Sequence, residues 1–222
     1  MGRYGQLYSA AVLRPFAEQL AAALDVQPGQ TVCDLLCDEG ELTRALAARV
    51  APDGTVLAAD IDTVIRDGAV PLADGVCDAA GVLFTAGFAA DVPSEARRVC
   101  APRGRVLAAV WDPENPPAHE QVLDAALQTA ARHSSPYLRA VLSLPVASAG
   151  VSVAVHDVVR FDGFAHYWAA MVSQRLPLMA ELGAIPEAAL TEAQDVSRAA
   201  LARYAAADGT LRIPVSARFV PL

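Results

Sequence analysis

The sequence predicts an α/β fold: a mainly parallel sheet flanked by helices, with an antiparallel C-terminal edge strand. Three observations predict it. Residues 31–50 read as a strand, a tight acidic turn and a helix, the arrangement that cradles nucleotides in open α/β sheets. A short apolar run at 55–61 follows a turn signal, APDG (51–54). The chain closes with a turn and an apolar run at 211–220, expected to pair antiparallel at the sheet edge.

Size and charge narrow the function classes. The 222 residues suit one domain with a sizeable core. Hydrophobic residues make up 54% of the chain but fall in short runs, well below the ~18 uninterrupted apolar residues of a membrane span. The N-terminus lacks a secretory signal, and Gln6 stands where myristoylation requires Ser or Thr, so a cytoplasmic protein is expected. A formal charge of −8 argues against a nucleic-acid backbone as partner. All 17 basic residues are arginine, which removes Schiff-base, pyridoxal-phosphate and Walker-lysine chemistry together. Cys33, Cys37, Cys77 and Cys100 form no zinc-ligand spacing, and Cys33 and Cys77 read as small buried apolar residues.

Taken in order, residues 4–25 read as a leader helix, with Leu13, Phe16, Leu20 and Leu24 at three- and four-residue intervals. The strand, turn and helix of 31–50 follow, then the strand of 55–61, which ends in acid. Only eight residues separate Asp62 from Pro71, fewer than the dozen or so that a parallel crossover takes. A strand at 71–84, a short helix at 93–100 and a strand ending at Trp111 and Asp112 come next. Residues 118–133 read as a helix behind Pro116 and Pro117, with a shorter helical piece at 137–144. Residues 151–161 alternate as a strand. A helix over 164–182 is interrupted at Pro177, and an amphipathic helix over 191–204 opens on a capping box of Thr191 and Gln194.

The stretch TVCDLLCDEGELTRAL (31–46) resembles motif I of the class I S-adenosylmethionine-dependent methyltransferases, an acidic residue followed by three glycines at alternate positions. Asp34 matches the acid and Gly40 the third glycine, while Leu36 and Asp38 stand where the first two belong. PLADGVCDAAGVLF resembles the family's fourth-strand turn, and AADVPSEARRVCAPRGRVLAAVWDP its following helix, turn and fifth strand. The resemblance runs to the C-terminal ARYAAADGTLRIPVSARF and covers nearly the whole chain. It implies a reduced Rossmann-like methyltransferase fold over 1–222. Within it lie a leader helix (1–30), an eroded cofactor half (31–113), a helical lid (114–150) and a closing part (151–222). It also implies Asp34, Gly40 and Asp60 as cofactor residues if S-adenosylmethionine is still bound, with Asp62 the alternative to Asp60. Glycines at those positions let the backbone approach the cofactor, whereas Leu36 adds volume and Asp38 a negative charge. No cofactor is expected, with S-adenosylmethionine the open alternative.

The expected chemistry sits at the C-terminal ends of the strands, where open α/β sheets bind ligands. Asp112 and His119 are the candidate catalytic groups: a carboxylate that orients or accepts a proton, and an imidazole with near-neutral pKa. The other reading of His119 is a solvated surface histidine beside Glu120. Tyr8, Trp111 and Tyr137 are the candidate substrate walls, with Tyr4 an alternative to Tyr8. Three functions follow: a cyclase, isomerase or eliminating enzyme of secondary metabolism acting on a small apolar metabolite, a surviving methyltransferase, or a non-catalytic subunit. A homodimer, or a heterodimer with a methyltransferase-fold partner, accompanies these readings.

Overall fold

The computed structural model describes residues 5–35, 37, 39–59, 69–84, 92–130, 152–173 and 186–222. The leader is helical but not uniform. Helix α1 (Gly5–Tyr8) passes through a π-helical turn (Ser9–Leu13) into α2 (Arg14–Ala23). Its apolar positions, among them Leu13, Phe16, Leu20 and Leu24, are buried as their spacing predicts. Strand β1 (Thr31–Leu35) leads through the acidic turn into α3 (Glu41–Val50), and β2 (Thr55–Ala59) follows. Then come β3 (Cys77–Leu83), α4 (Val92–Val99) and β4 (Cys100–Trp111). The remaining elements are α5 (Ala118–Ala130), β5 (Val153–Phe161), α6 (Phe164–Ser173), α7 (Glu187–Leu201), a 3-10 turn (Ala202–Tyr204) and β6 (Leu211–Pro221).

The six strands lie in the order β2-β1-β3-β4-β6-β5. Pairs β1–β2, β1–β3 and β3–β4 are parallel, and β4–β6 is antiparallel. The antiparallel C-terminal strand is therefore as expected, but its edge position is corrected: β5 lies outside it. The capping box is corrected as well. Pro186 precedes α7, and Thr191 lies within the helix, its hydroxyl donating to the Glu187 carbonyl at 3.0 Å. The helix starts four residues earlier than the Thr-x-x-Gln pattern suggested.

The chain forms two compact units. The sheet unit holds 13–111, 141–155 and 217–222, and the helical unit holds 1–12, 112–140 and 156–216. In the sheet unit, alternation sends Cys33, Leu35, Ala80, Val82, Val106 and Ala108 into one apolar layer with Val92, Ala96 and Val99 of α4. Their neighbours Val32, Ala79 and Ala109 enter the other layer, with Leu20, Leu24, Leu42 and Leu46 of the α2 and α3 region. These helices descend onto β3 at Gly81, where a Cβ would stand 2.8 Å from the Leu42 Cδ2 and 3.1 Å from the Leu24 Cδ1. The cysteines act as core residues here. Cys33 keeps its proton through its hydrogen bond with Cys77 and its burial, and burial pushes Cys100 up to about 11.

In the helical unit, α5 packs on α7 and α1 on α6, around Leu123, Phe161, Tyr167, Met171 and Ile213, all fully buried. Among the described residues no helix is long and apolar enough to cross a membrane.

Candidate functional site

The turn between β1 and α3 is tied to its surroundings through its own backbone. The Cys37 amide donates to the Ala59 carbonyl at 2.8 Å, and the Gly40 amide to the Cys37 carbonyl at 2.6 Å. Gly40 caps α3 with φ at +78°, a left-handed conformation that disfavours any side chain. Asp34, buried at the end of β1, accepts a hydrogen bond from the Thr43 hydroxyl at 2.5 Å. That bond fixes the first turn of α3 against the strand. Beside it, buried Glu41 meets Arg14 at 3.2 Å and Arg44 at 3.0 Å, and this contact raises the Arg14 pKa further.

The segment after β2 is clamped by a single guanidinium. Arg98 of α4 donates to both Glu95 oxygens at 2.8 Å, to the Leu72 carbonyl and Asp74 at 2.7 Å, and to the Val70 carbonyl at 3.0 Å. The Val70 amide donates to Glu95 at 3.0 Å. With Arg98 as the main cause and the Val70 amide adding to it, the Glu95 carboxyl sits below its ordinary pKa. Residues 70–74 are thus committed to α4, and only nine residues, 60–68, lie between the end of β2 and Ala69. Among the described residues, β2 is the outermost strand on this side.

At the C-terminal ends of β3 and β4, Phe84 stacks on Trp111 with ring centroids 3.9 Å apart, and Phe16 meets both rings edge-on at 5.1 and 5.5 Å. Phe84 adopts a φ of +45°, which is uncommon for a bulky residue.

In the helical unit, the Tyr8 hydroxyl donates to Glu120 Oε1 at 2.8 Å, and His119 Nε2 lies 3.9 Å from the same oxygen. His119 is wholly buried, and burial holds its pKa below the ordinary value against a smaller opposing effect of Glu120. It is a neutral imidazole at pH 7. The Tyr167 hydroxyl donates to the His119 carbonyl at 2.8 Å, and Phe161 stands edge-on to Tyr167 at 5.4 Å. Glu120 is partly exposed, its side chain 21% accessible. Asp112 is 3% exposed and opens a turn: its carboxylate accepts from the Glu114 amide at 3.1 Å and the Asn115 side-chain amide at 3.4 Å.

No family model matches the sequence, and no curated protein does. Solved structures do. A protein assigned as a methyltransferase of an antibiotic biosynthesis pathway from Anabaena variabilis matches over 96% of this chain and 98% of its own. The identity is 13% and the TM-score 0.50. The chain has the class I methyltransferase fold. A cyclopropane-fatty-acyl-phospholipid synthase-like protein from Lactobacillus casei is also similar, at 13% identity over 98% and 92% of the two chains, with a TM-score of 0.47. So is a SAM-dependent methyltransferase from Aquifex aeolicus, at 18% identity over 50% and 74%, with a TM-score of 0.40.

Within this methyltransferase fold the expected site residues fall into separate surroundings. Asp34 and Gly40 hold the β1–α3 turn. Trp111 belongs to the aromatic group with Phe16 and Phe84, and Asp112, the next residue, belongs to its turn. Tyr8 and His119 meet around Glu120. The solvated reading of His119 is corrected: the residue is wholly buried, its ring 6.5 Å from that of Phe161 and its carbonyl bound by the Tyr167 hydroxyl. Leu36, Asp38, Asp60, Asp62, Tyr4 and Tyr137 lie outside the described residues. Sequence reasoning missed Glu120, treating it only as a neighbour of His119. It also missed Phe16 and Phe84 as partners of Trp111. The signal for Glu120 was its place one residue from a candidate histidine, which a helix does not turn to one face. Among the described residues no group of three or more His, Cys, Asp or Glu is placed to hold a metal ion.

Proposed function

We propose that this chain uses the methyltransferase fold to act on a small, largely apolar metabolite by cyclisation, isomerisation or elimination, without methyl transfer. The observation that carries the reading is the Arg98 clamp. It commits 70–74 to α4 and leaves nine residues where the resemblance implies a helix, a third parallel strand and an adenine-contacting turn. A parallel crossover takes roughly a dozen residues or more. The amides of Cys37 and Gly40, already bonded within the turn region, add support, as do Leu36 and Asp38 in place of two glycines. On these grounds S-adenosylmethionine does not fit, and no step is routed through it. Asp112 and His119, both buried, are proposed as polar groups that act through their neighbours.

A specific observation favours a second reading, a working methyltransferase. Asp34, Gly40 and the β1-turn-α3 unit keep their places, and S-adenosylmethionine would be held there with Asp60. Mass spectrometry separates the two. The protein is incubated with small apolar metabolites, with and without S-adenosylmethionine. Products isomeric with the substrate, or lacking a leaving group, and independent of the cofactor support the first reading. Products heavier by one methylene and dependent on the cofactor overturn it.

A further inference from the structure

Resting on the reading of a cofactor-independent enzyme, the geometry points to Glu120 as the base that begins its reaction. We propose that it takes a proton from a carbon acid, such as an enolisable carbonyl compound. Three titratable side chains meet at one atom of the helical unit: the Tyr8 hydroxyl 2.8 Å from Glu120 Oε1, and His119 Nε2 3.9 Å from the same oxygen. Of the three, only Glu120 is appreciably reachable, at 21% side-chain exposure, whereas Tyr8 and His119 are buried. A group that touches substrate must be reachable, so Glu120 is the catalytic residue and the other two position it.

The placement also gives the direction of proton flow. A carboxylate that accepts a phenol hydrogen bond is an acceptor, ill suited to protonating an alkene and starting a carbocation cyclisation. His119 is wholly buried and neutral, its ring 6.5 Å from that of Phe161 and its carbonyl bound by the Tyr167 hydroxyl. In the step, the substrate C–H bond breaks and the proton passes to a Glu120 oxygen. The electron pair enters the adjacent carbonyl as an enolate. Return of the proton to another carbon gives an isomer, and departure of a group β to the carbonyl gives elimination. Neither outcome needs an oxidant or reductant.

The leader turn places Tyr8 for this contact. The π-helical turn at 9–13 directly follows Tyr8, and such single turns occur frequently at functional sites. Helix α1 packs on α6, and α6 supplies Tyr167 to the carbonyl of the residue before Glu120.

The test uses the full chain and nitrobenzisoxazole, a flat apolar carbon acid. Loss of its ring proton to a base forms a nitrile, breaks the N–O bond and releases a coloured phenolate. The wild-type protein should open the ring faster than acetate at equal carboxylate concentration. Glu120→Gln should lower the rate by roughly 100-fold, and Glu120→Asp, which keeps the charge, should fall between. Tyr8→Phe should lower kcat several-fold with KM unchanged, because the lost donor no longer holds the carboxylate in its reactive orientation. A structural tie alone would lower the unfolding midpoint and leave kcat of the folded protein in place. Glu192→Gln, at an exposed position on α7, should keep the wild-type rate. A wild-type rate no faster than acetate, an unchanged rate in Glu120→Gln, or an equal fall in Glu192→Gln overturns the proposal. Ring opening consumes no S-adenosylmethionine, so its failure is distinct from failure of the reading it rests on, which cofactor binding decides.

Discussion

In the sheet unit, Glu95 lies against the Arg98 guanidinium, and Glu41 against Arg14 and Arg44; in the helical unit, Glu120 lies against a phenol and an imidazole. The first two carboxylates are buried and held by cations that also tie down backbone, as Arg98 does through the Val70 and Leu72 carbonyls. Such an arrangement fixes a charge and makes a segment rigid. The third, among the described contacts, meets a phenol hydroxyl and a buried imidazole and keeps part of its surface open. The contrast separates two carboxylates that hold backbone from the one we propose as a base.

The comparison can be broken hardest at Arg98. Arg98→Ala leaves Glu95 in place without its cation, and partly buried pairs of this kind cost about 2–4 kcal/mol when one partner is removed. Urea denaturation should show that loss, and a cost below half a unit on the same scale would mean that the clamp is decorative. The pH dependence carries a sign. The folded Glu95 pKa lies below its unfolded value, so the pair's stability is present above about 4.3 and lost as pH falls through the folded pKa. Glu95→Gln should therefore flatten the acid limb of the stability curve.

His119 offers the next largest effect, in the opposite unit and at higher pH. Its folded pKa is lowered by burial, so the unfolded chain binds the extra proton first. Stability is then full above about 6.5 and declines as pH falls below it, by up to about 1.4 kcal/mol per pH unit. His119→Leu keeps the volume and removes the titration. Thermal denaturation from pH 7 to pH 5 should be flatter for the variant, and parallel curves would contradict a neutral buried imidazole.

Gly40 gives the smallest effect. A Cβ there would have room, since the nearest atom is the Arg44 Nη1 at 3.4 Å, but the φ of +78° remains. Gly40→Ala should cost about 1–2 kcal/mol from backbone conformation alone. An unchanged unfolding midpoint would show that the turn relaxes.

How much of this was legible follows from the range of each interaction. The β1-turn-α3 unit, the burial of Leu13, Phe16, Leu20 and Leu24, and the helix at 41–50 depend on local spacing, and the sequence displays that spacing directly. The shortness of the segment after β2 is likewise a matter of chain length. The π-helical turn at 9–13 has no glycine or proline to announce it. The capping box failed because Pro186, preset for a helix start, outweighed Thr191 five residues later. Trp111 and Asp112 are adjacent in sequence, yet β4 ends between them, with Trp111 stacked on Phe84 and Asp112 opening a turn, so a shared role could not be read from adjacency. Glu120 became visible only when Tyr8, 112 residues away, was seen to meet it.

The central claim is that the methyltransferase fold persists here without its cofactor, and titration calorimetry with S-adenosylmethionine tests it most directly. The account predicts no saturable heat at micromolar concentrations of ligand. It predicts a gain in affinity for the double variant Leu36→Gly with Asp38→Gly only to the extent that the shortened segment at 60–68 allows. A wild-type dissociation constant in the low micromolar range, a binding free energy near about −8 kcal/mol, would contradict the account and restore methyl transfer as the function.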